Sequence, residues 1–141
     1  MEFLKVDERH YLVRLVRGEE IVASLKTLAL QEKIKLAMVQ GLGAINDLTV
    51  GVFDTATKEY KANHFTGAFE MLSLTGTIDT MDGAFYSHYH IAVGDKDGHA
   101  WGGHLNAAYI SATCELILTI LPGQIDRFKD PQVGLNLWKL H

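Results

Sequence analysis

The sequence predicts an α+β protein, with a largely antiparallel sheet of about seven or eight strands and one main helix. Two observations lead to this fold class. Short apolar segments with alternating polar residues recur along the chain between turn residues, which is typical of hairpin-linked strands. Only one segment repeats its apolar residues at intervals of three and four, as a helix does. With 141 residues, 48% of them apolar, the chain can bury a core, and we expect one domain over residues 1–141.

The amino-terminal part predicts a strand followed by the helix. Residues 11–17 alternate as a strand does, and Gly18 ends them. Glu19 and Glu20 then begin a helix, where acidic side chains interact favourably with the positive end of the helix dipole. The helix extends through about Glu32, and its apolar face comprises Ile21, Val22, Leu25, Leu28 and Ala29.

A glycine-rich segment follows the next strand. Residues 34–40 predict a strand that ends at Gly41-Leu42-Gly43, and residues 48–53 predict another. A dinucleotide-binding fingerprint would need a glycine where Asn46 stands and a helix after it, so we reject that reading. The glycines are expected to serve a tight turn or a close backbone approach.

The rest of the chain predicts further strands and turns. In order, these are a turn at 54–58, strands at 59–65 and 69–75, a turn at 79–83, the hairpin described next, a strand at 109–121, and a tail at 125–141. Residues 69–75 are expected to be buried on both faces for part of their length. The tail is expected to be irregular, with one short strand.

Three histidines lie in a predicted β-hairpin whose register can be derived from its turn. Residues 95–98, Asp-Lys-Asp-Gly, are typical of a type I turn whose last residue, Gly98, is left-handed. The turn pairs Asp95 with His99, and therefore His90 with His104, while His88 lies diagonally on the same face. Opposed Cβ atoms are about 5 Å apart and diagonal ones roughly 7–8 Å, within joint reach of one ion.

This pattern favours a metal site at His88, His90 and His104. The same hairpin face carries small or short side chains, namely Ala92, Ala100, Gly102 and Asn106. Imidazole is the commonest metal-ligand side chain, and three histidines with an open fourth position are typical of reactive zinc sites. We expect Zn²⁺ or another divalent ion. The alternative is a polar outer face without a ligand, and a one-residue slip of register would place His104 on the opposite face.

Composition argues against several other classes. The net charge of −4 gives no basic excess, so phosphate contacts to DNA are not expected from this chain. The single cysteine, Cys114, lies in an apolar run and is expected to be a buried thiol. The amino terminus lacks a signal-peptide pattern and no apolar stretch approaches the roughly 20 residues of a membrane span. We therefore expect a cytoplasmic protein with no membrane partner.

The relative sizes of helix and sheet predict self-association. A helix of about 14 residues is about 21 Å long. Seven strands at about 4.8 Å spacing make a sheet more than roughly 30 Å wide. One helix cannot cover such a sheet, although several strands are apolar on both sides. We expect an oligomer interface to cover the remainder.

With these segments identified, the chain resembles the PPC domain (plants and prokaryotes conserved domain) from about Arg14 to Leu121. The most specific matches are Phe-Glu-x-Leu-Ser-Leu-x-Gly and Gly-Gly-His-Leu in that order. The motifs are Gly18-Glu19-Glu20, Gly41-Leu42-Gly43-Ala44, Gly67 through Gly76, His88-Tyr89-His90, Gly102-Gly103-His104-Leu105 and Thr113-Cys114-Glu115.

The resemblance implies an α+β fold with an antiparallel sheet and a homotrimer. In plants the domain accompanies AT-hooks that bind A·T-rich DNA, whereas prokaryotic members are usually the bare domain, described as DNA-binding by association. This chain has no Arg-Gly-Arg-Pro core, and Ala68 stands where plant members carry arginine. Both departures count against direct DNA binding. The three histidines match the bare prokaryotic members, in which we expect them to hold a metal.

Three hypotheses for function stay open. The first is a metal-binding protein with a possible small-molecule ligand at the metal, where bound water of lowered pKa would serve a hydrolytic or lyase step. Glu70 and Glu115 are candidates for its general base by charge type only, and no Gly-x-Ser-x-Gly nucleophile motif occurs. The second is a trimeric interaction module associated with DNA or transcription. The third is a structural metal that ties subunits together, so the sequence leaves open whether the protein is an enzyme.

Overall fold

The computed structural model describes residues 1–141 and confirms the α+β class, with eight strands in one sheet and one helix. The elements are β1 (Glu2–Lys5), β2 (His10–Val16), α1 (Ile21–Gln31), β3 (Ala37–Asp54), β4 (Glu59–Met81), β5 (Ala84–Gly94), β6 (Ala100–Ile120), β7 (Asp126–Lys129) and β8 (Asn136–Trp138). The main order is β1-β2-β6-β3-β4-β7-β8, and β5 pairs with both β4 and β6. All pairs are antiparallel except β4 with β7.

The helix begins where the acidic pair predicts. The Glu20 carboxylate accepts hydrogen bonds from the backbone N–H groups of Val22 and Ala23, at 3.0 and 2.6 Å. It also accepts the N–H of Ala108 on β6 at 3.0 Å. One side chain thus caps the free donors of the first turn and fixes the helix to the sheet. At the other end, Lys33 takes a positive φ of 56° and terminates the helix.

The core lies between α1 and the inner face of the sheet. Strands β3, β4, β5 and β6 pair in a closed circuit, because β5 bridges β4 and β6 while β3 pairs with both. The fully buried side chains include Leu15, Ile21, Leu25, Leu28, Ile45, Leu48, Leu74, Ile78, Ile110, Leu116 and Leu118. The opposite side of these strands, which we call the outer face, carries the polar and exposed side chains.

Several predicted breaks between strands are wrong, because three strands continue through them. Gly41 and Gly43 do not end a strand; β3 continues through them with bulges. Instead, these glycines allow the neighbouring strand β6 to approach β3 closely. A Cβ on Gly41 would lie 2.6 Å from the carbonyl oxygen of Glu115, and one on Gly43 would lie 2.6 Å from that of Thr113. Residues 59–65 and 69–75 likewise belong to one strand, β4, and residues 109–121 belong to the longer β6.

Three local predictions also need correction. Leu72 is 55% exposed, so the segment 69–75 is not buried on both faces within one chain. The bulge between Met71 and Ser73 places Met71 and Leu74 on the same inner side and leaves Leu72 outside. The turn after β4 is narrower than predicted, because pairing continues to Met81 with Ala84. The tail holds two short strands instead of one.

The helix α1, at 11 residues, is too short to traverse a bilayer, and no other helix that could do so is present.

Candidate metal centre

The histidine hairpin has the register that its turn predicts. Gly98 takes a φ of +82°, and its N–H donates to the carbonyl of Asp95 at 3.1 Å. The N–H of Asp95 donates to the carbonyl of His99 at 3.0 Å. Strands β5 and β6 therefore pair His90 directly with His104.

The three histidines converge on the outer face. The Nε2 atoms of His88 and His90 are 3.2 Å apart. The ring centroids are 5.0 Å apart for His88 and His90, 4.9 Å for His88 and His104, and 5.8 Å for His90 and His104. One nitrogen from each ring lies within 4.8 Å of the others. Beneath them Tyr89, Ile91, Val93 and Leu105 are buried in the core, so the alternation of the two strands holds the imidazoles outward.

This donor set fits a divalent metal ion. Zinc binds histidine nitrogen at about 2.0–2.1 Å in tetrahedral sites, which places ligand nitrogens about 3.3 Å from one another. The observed 3.2 Å between two of the nitrogens matches that spacing. Three protein ligands leave a fourth position for water or a small molecule.

Burial keeps two of the imidazoles neutral. Desolvation, and then the neighbouring His104 and His90, lowers the pKa of His88 to about 4. Burial likewise lowers the pKa of His104, with His90 as the second cause. Neutral imidazole has a free lone pair on one ring nitrogen, the form that binds metal. Near pH 7 both rings are therefore available as ligands without losing a proton.

An aromatic wall that the sequence did not predict flanks His104. The Tyr60 ring meets the His104 ring edge-on, with centroids 6.1 Å apart, and its hydroxyl donates to Oδ1 of Asn106 at 2.5 Å. Gly51, which pairs with His104, permits this placement, because a Cβ there would lie 2.4 Å from the tyrosine ring. Only strand register brings Tyr60 to this place, so no local sequence signal indicated it.

A second polar cluster borders His88 and was also missed. Asp79, 1% exposed, accepts hydrogen bonds from Nε and Nη2 of Arg127 at 2.8 and 2.7 Å and from Nε1 of Trp138 at 2.8 Å. The Arg127 guanidinium lies over the Tyr86 ring, 4.8 Å from its centroid. We call Asp79, Tyr86, Arg127 and Trp138 the tail clasp, because it fixes β7 and β8 to β4 and β5. It adjoins the histidines, since Asp79 pairs with Tyr86 and Thr77 with His88.

The two candidate bases are not brought to the histidines. Glu70 pairs with Gly94, and Glu115 pairs with Arg14 and Leu42. Neither carboxylate joins the three-histidine group. A second group of possible ligands, Asp95, Asp97 and His99, lies in the hairpin turn. There the Asp95 carboxylate already accepts the N–H groups of Asp97 and His99 at 2.9 and 3.0 Å, so turn formation accounts for it.

Among curated proteins, the chain is similar to the bifunctional protein GlmU of two Synechococcus strains. It is 31% identical to the protein of strain JA-3-3Ab over 129 residues, which cover 89% of this chain and 20% of that protein. For the second strain the identity is 29% over 127 residues. The chain thus spans about a fifth of the length of these relatives.

Solved structures resemble it over nearly their whole length. A protein from Bacteroides thetaiotaomicron, named provisionally as DNA-binding, gives a TM-score of 0.94 with 32% identity, covering 98% of this chain and 96% of that one. A plant- and prokaryote-conserved protein from Pyrococcus horikoshii gives 0.84 with 31% identity, covering 93% and 91%. A metal-containing protein from Archaeoglobus fulgidus gives 0.84 with 31% identity, covering 96% and 99%.

The family model for the domain matches residues 5–122, a range that contains every motif behind the resemblance. All three histidines and most of the sheet lie within it. The chain therefore belongs to the Plants and Prokaryotes Conserved (PCC) domain family.

Proposed function

We propose that the protein binds one divalent metal ion per chain, zinc before others, through His88, His90 and His104. The observation that carries the proposal is the convergence of three ring nitrogens within 4.8 Å of one another on a hairpin whose register the turn determines. Neutral imidazoles and a tetrahedral spacing suit zinc. The metal-containing relative from Archaeoglobus fulgidus adds support from within the fold.

The metal could have either of two roles. A metal with an open position supplies Lewis acidity to a small-molecule ligand, and a closed one stabilises structure. No carboxylate joins the three-histidine group, and the Asp79 carboxylate near His88 is already paired with Arg127 and Trp138, so the chain offers no free general base there. We therefore propose metal binding as the function and assign no reaction.

Metal analysis of protein purified without a histidine tag tests the proposal. We expect about one equivalent per chain, and its loss in His90→Ala. His99→Ala is the matched control, because His99 belongs to the other group of possible ligands in the same hairpin and should leave metal content unchanged. A folded wild-type protein that holds and binds no zinc would contradict the proposal.

The assembly we propose is a homotrimer. The outer face supports self-association, because large apolar side chains there are exposed in one chain, among them Leu4 at 61%, Leu42 at 57% and Leu72 at 55%. Monomeric proteins rarely leave large contiguous apolar patches uncovered. Light scattering at micromolar concentration tests this, and a monomeric mass would refute it.

Binding to DNA is the second candidate function. The provisional naming of the similar structure from Bacteroides thetaiotaomicron supports it. The net charge of −4 and the missing Arg-Gly-Arg-Pro core argue against direct contact with DNA. An interaction module associated with DNA therefore fits the chain better than a direct DNA-binding protein. Affinity for an A·T-rich duplex that falls steeply with salt would establish direct binding.

A further inference from the structure

We propose that a second copy of the chain completes the three-histidine site, by presenting its Glu115 carboxylate to the metal across a head-to-tail interface between outer faces. The inference rests on the proposed metal binding and names the partner of that site. It follows from an apolar groove on the outer face and from the missing fourth ligand of the three histidines.

The outer face has an apolar groove at the edge remote from the histidines. The groove has a volume of about 570 Å³ and is lined by residues of β1, β2, β3 and β6, including Leu4, Leu12, Leu42, Glu115 and Ile117. Leu12 is 45% exposed and Ile117 is 49% exposed. Covering such side chains stabilises an assembly by about 25 cal/mol for each Å² of apolar surface removed from water.

The groove and the histidines lie on the same face. Cross-strand pairing links His90 to Thr75, Thr75 to Gln40, Gln40 to Ile117 and Ile117 to Leu12. Directly paired residues of adjacent strands project to the same side of a sheet. One face therefore presents both an incomplete metal site, on β5 and β6, and an open groove, on β1, β2, β3 and β6.

Glu115 is a carboxylate without a partner in its own chain. It lies opposite Arg14, but the Arg14 guanidinium donates instead to Glu2. Most of its other neighbours in the groove are apolar, including Leu42 and Ile117, and the polar ones are Glu2, Arg14 and Gln40. When a partner covers the groove, this charge loses water, and an unpaired buried carboxylate is strongly unfavourable. A covering surface that provides a cation or hydrogen-bond donors offsets this cost.

A chain cannot bring Glu115 to its own histidines. The row from His90 to Ile117 crosses three strand spacings of about 4.8 Å, or roughly 14 Å along the sheet. That separation exceeds the reach of a glutamate side chain. Contact between these groups therefore requires two copies.

A second copy suits the groove better than another segment of chain. One chain carries both complementary groups, because its three histidines lack a fourth ligand and its Glu115 carboxylate has no hydrogen bond to the opposite Arg14, which donates to Glu2. Contact between two different patches of one face is heterologous, and such contacts close into rings when the rotation allows. A ring would give every histidine site a neighbouring carboxylate.

The first test compares Glu115→Gln with Glu70→Gln, a matched change of an exposed glutamate outside the groove. We expect Glu115→Gln to keep the oligomeric mass and to weaken zinc binding at least about tenfold, while Glu70→Gln binds like wild type. Ile117→Asp should yield monomers with the same weakened binding. Leu30→Asp, on an exposed position of α1 at 59%, should change neither property.

A mixed assembly tests whether the carboxylate comes from another copy. Chains carrying His90→Ala and chains carrying Glu115→Gln are co-expressed and purified as mixed oligomers. Where the histidines of a Glu115→Gln chain contact the groove of a His90→Ala chain, the shared site contains three histidines and an intact Glu115. We expect such assemblies to recover a fraction of sites with wild-type affinity, which neither variant has alone.

The outcomes separate this inference from the proposed function. If wild-type protein binds no zinc, the metal proposal fails and this inference fails with it. If it binds zinc but Glu115→Gln and Ile117→Asp bind equally well, the inference alone is overturned. Mixed oligomers without wild-type sites, or a wild-type monomer that binds zinc fully, would also overturn it.

Discussion

The histidine centre and the tail clasp are neighbours on the outer face, yet they differ in how far their polar groups are satisfied. In the clasp, the Asp79 carboxylate receives three hydrogen bonds from Arg127 and Trp138 and is 1% exposed. In the centre, the only hydrogen-bond contact of the imidazoles joins His88 to His90, and His90 is exposed. A buried polar cluster with its partners in place stabilises structure, whereas a half-open cluster of ligands can still bind something.

The largest effect is expected in the tail clasp. Asp79→Ala leaves the Arg127 guanidinium buried and unpaired, so we expect the free energy of unfolding to fall by about 3–5 kcal/mol. Denaturant titration of the metal-free protein measures it. Asp79→Ala combined with Arg127→Met should be less unstable than Asp79→Ala alone, since it removes both charges. A loss below about 1 kcal/mol in the single variant would show that the clasp does not stabilise the fold.

In the histidine centre, stability should depend on metal instead. With zinc at about 100 times its Kd, we expect the wild-type protein to gain about 2.7 kcal/mol in unfolding free energy. His104→Ala removes a ligand and should gain nothing, while His99→Ala should gain as much as wild type. Thermal unfolding with zinc and with chelator measures the difference. Equal stabilisation of His104→Ala would show that zinc binds elsewhere.

A smaller effect should follow from changing the backbone under the site. A Cβ on Gly102 would lie 2.0 Å from the carbonyl oxygen of Ile91, so β5 and β6 must separate. We expect Gly102→Ala to cost about 1–3 kcal/mol and to weaken zinc binding, because Gly102 pairs with Ala92 beside the paired His90 and His104. Gly94→Ala is the control: its Cβ would meet only the Leu72 side chain, at 3.3 Å. Equal stability and zinc affinity in both variants would contradict this.

The candidate centre was largely predictable, because it depends on local chemistry. Aspartate and glycine in residues 95–98 select one turn, the turn selects the pairing of His90 with His104, and the alternation of strands turns His88 to the same side. The helix was predictable for a similar reason, since Glu20 caps the donors of its own first turn.

The surroundings of the centre were not predictable from local signals. Tyr60 meets His104 because β3 lies between their strands in a particular register, and Arg127 meets Asp79 across 48 residues of sequence. The role of Gly41 and Gly43 needed the position of β6 against β3, because a glycine in a turn and a glycine under a neighbouring strand have the same sequence signature.

By itself, the sequence determined the α+β class, the limits of the helix, and the face that the three histidines share. These features follow from periodicity, capping and turn chemistry, which act over a few residues. The tertiary structure alone decided that β3, β4 and β6 run unbroken, that the tail clasp borders His88, and that Glu115 lies in an apolar groove away from its own histidines. Those features depend on which distant strands pair and in what register, and that outcome reflects the packing of the whole core.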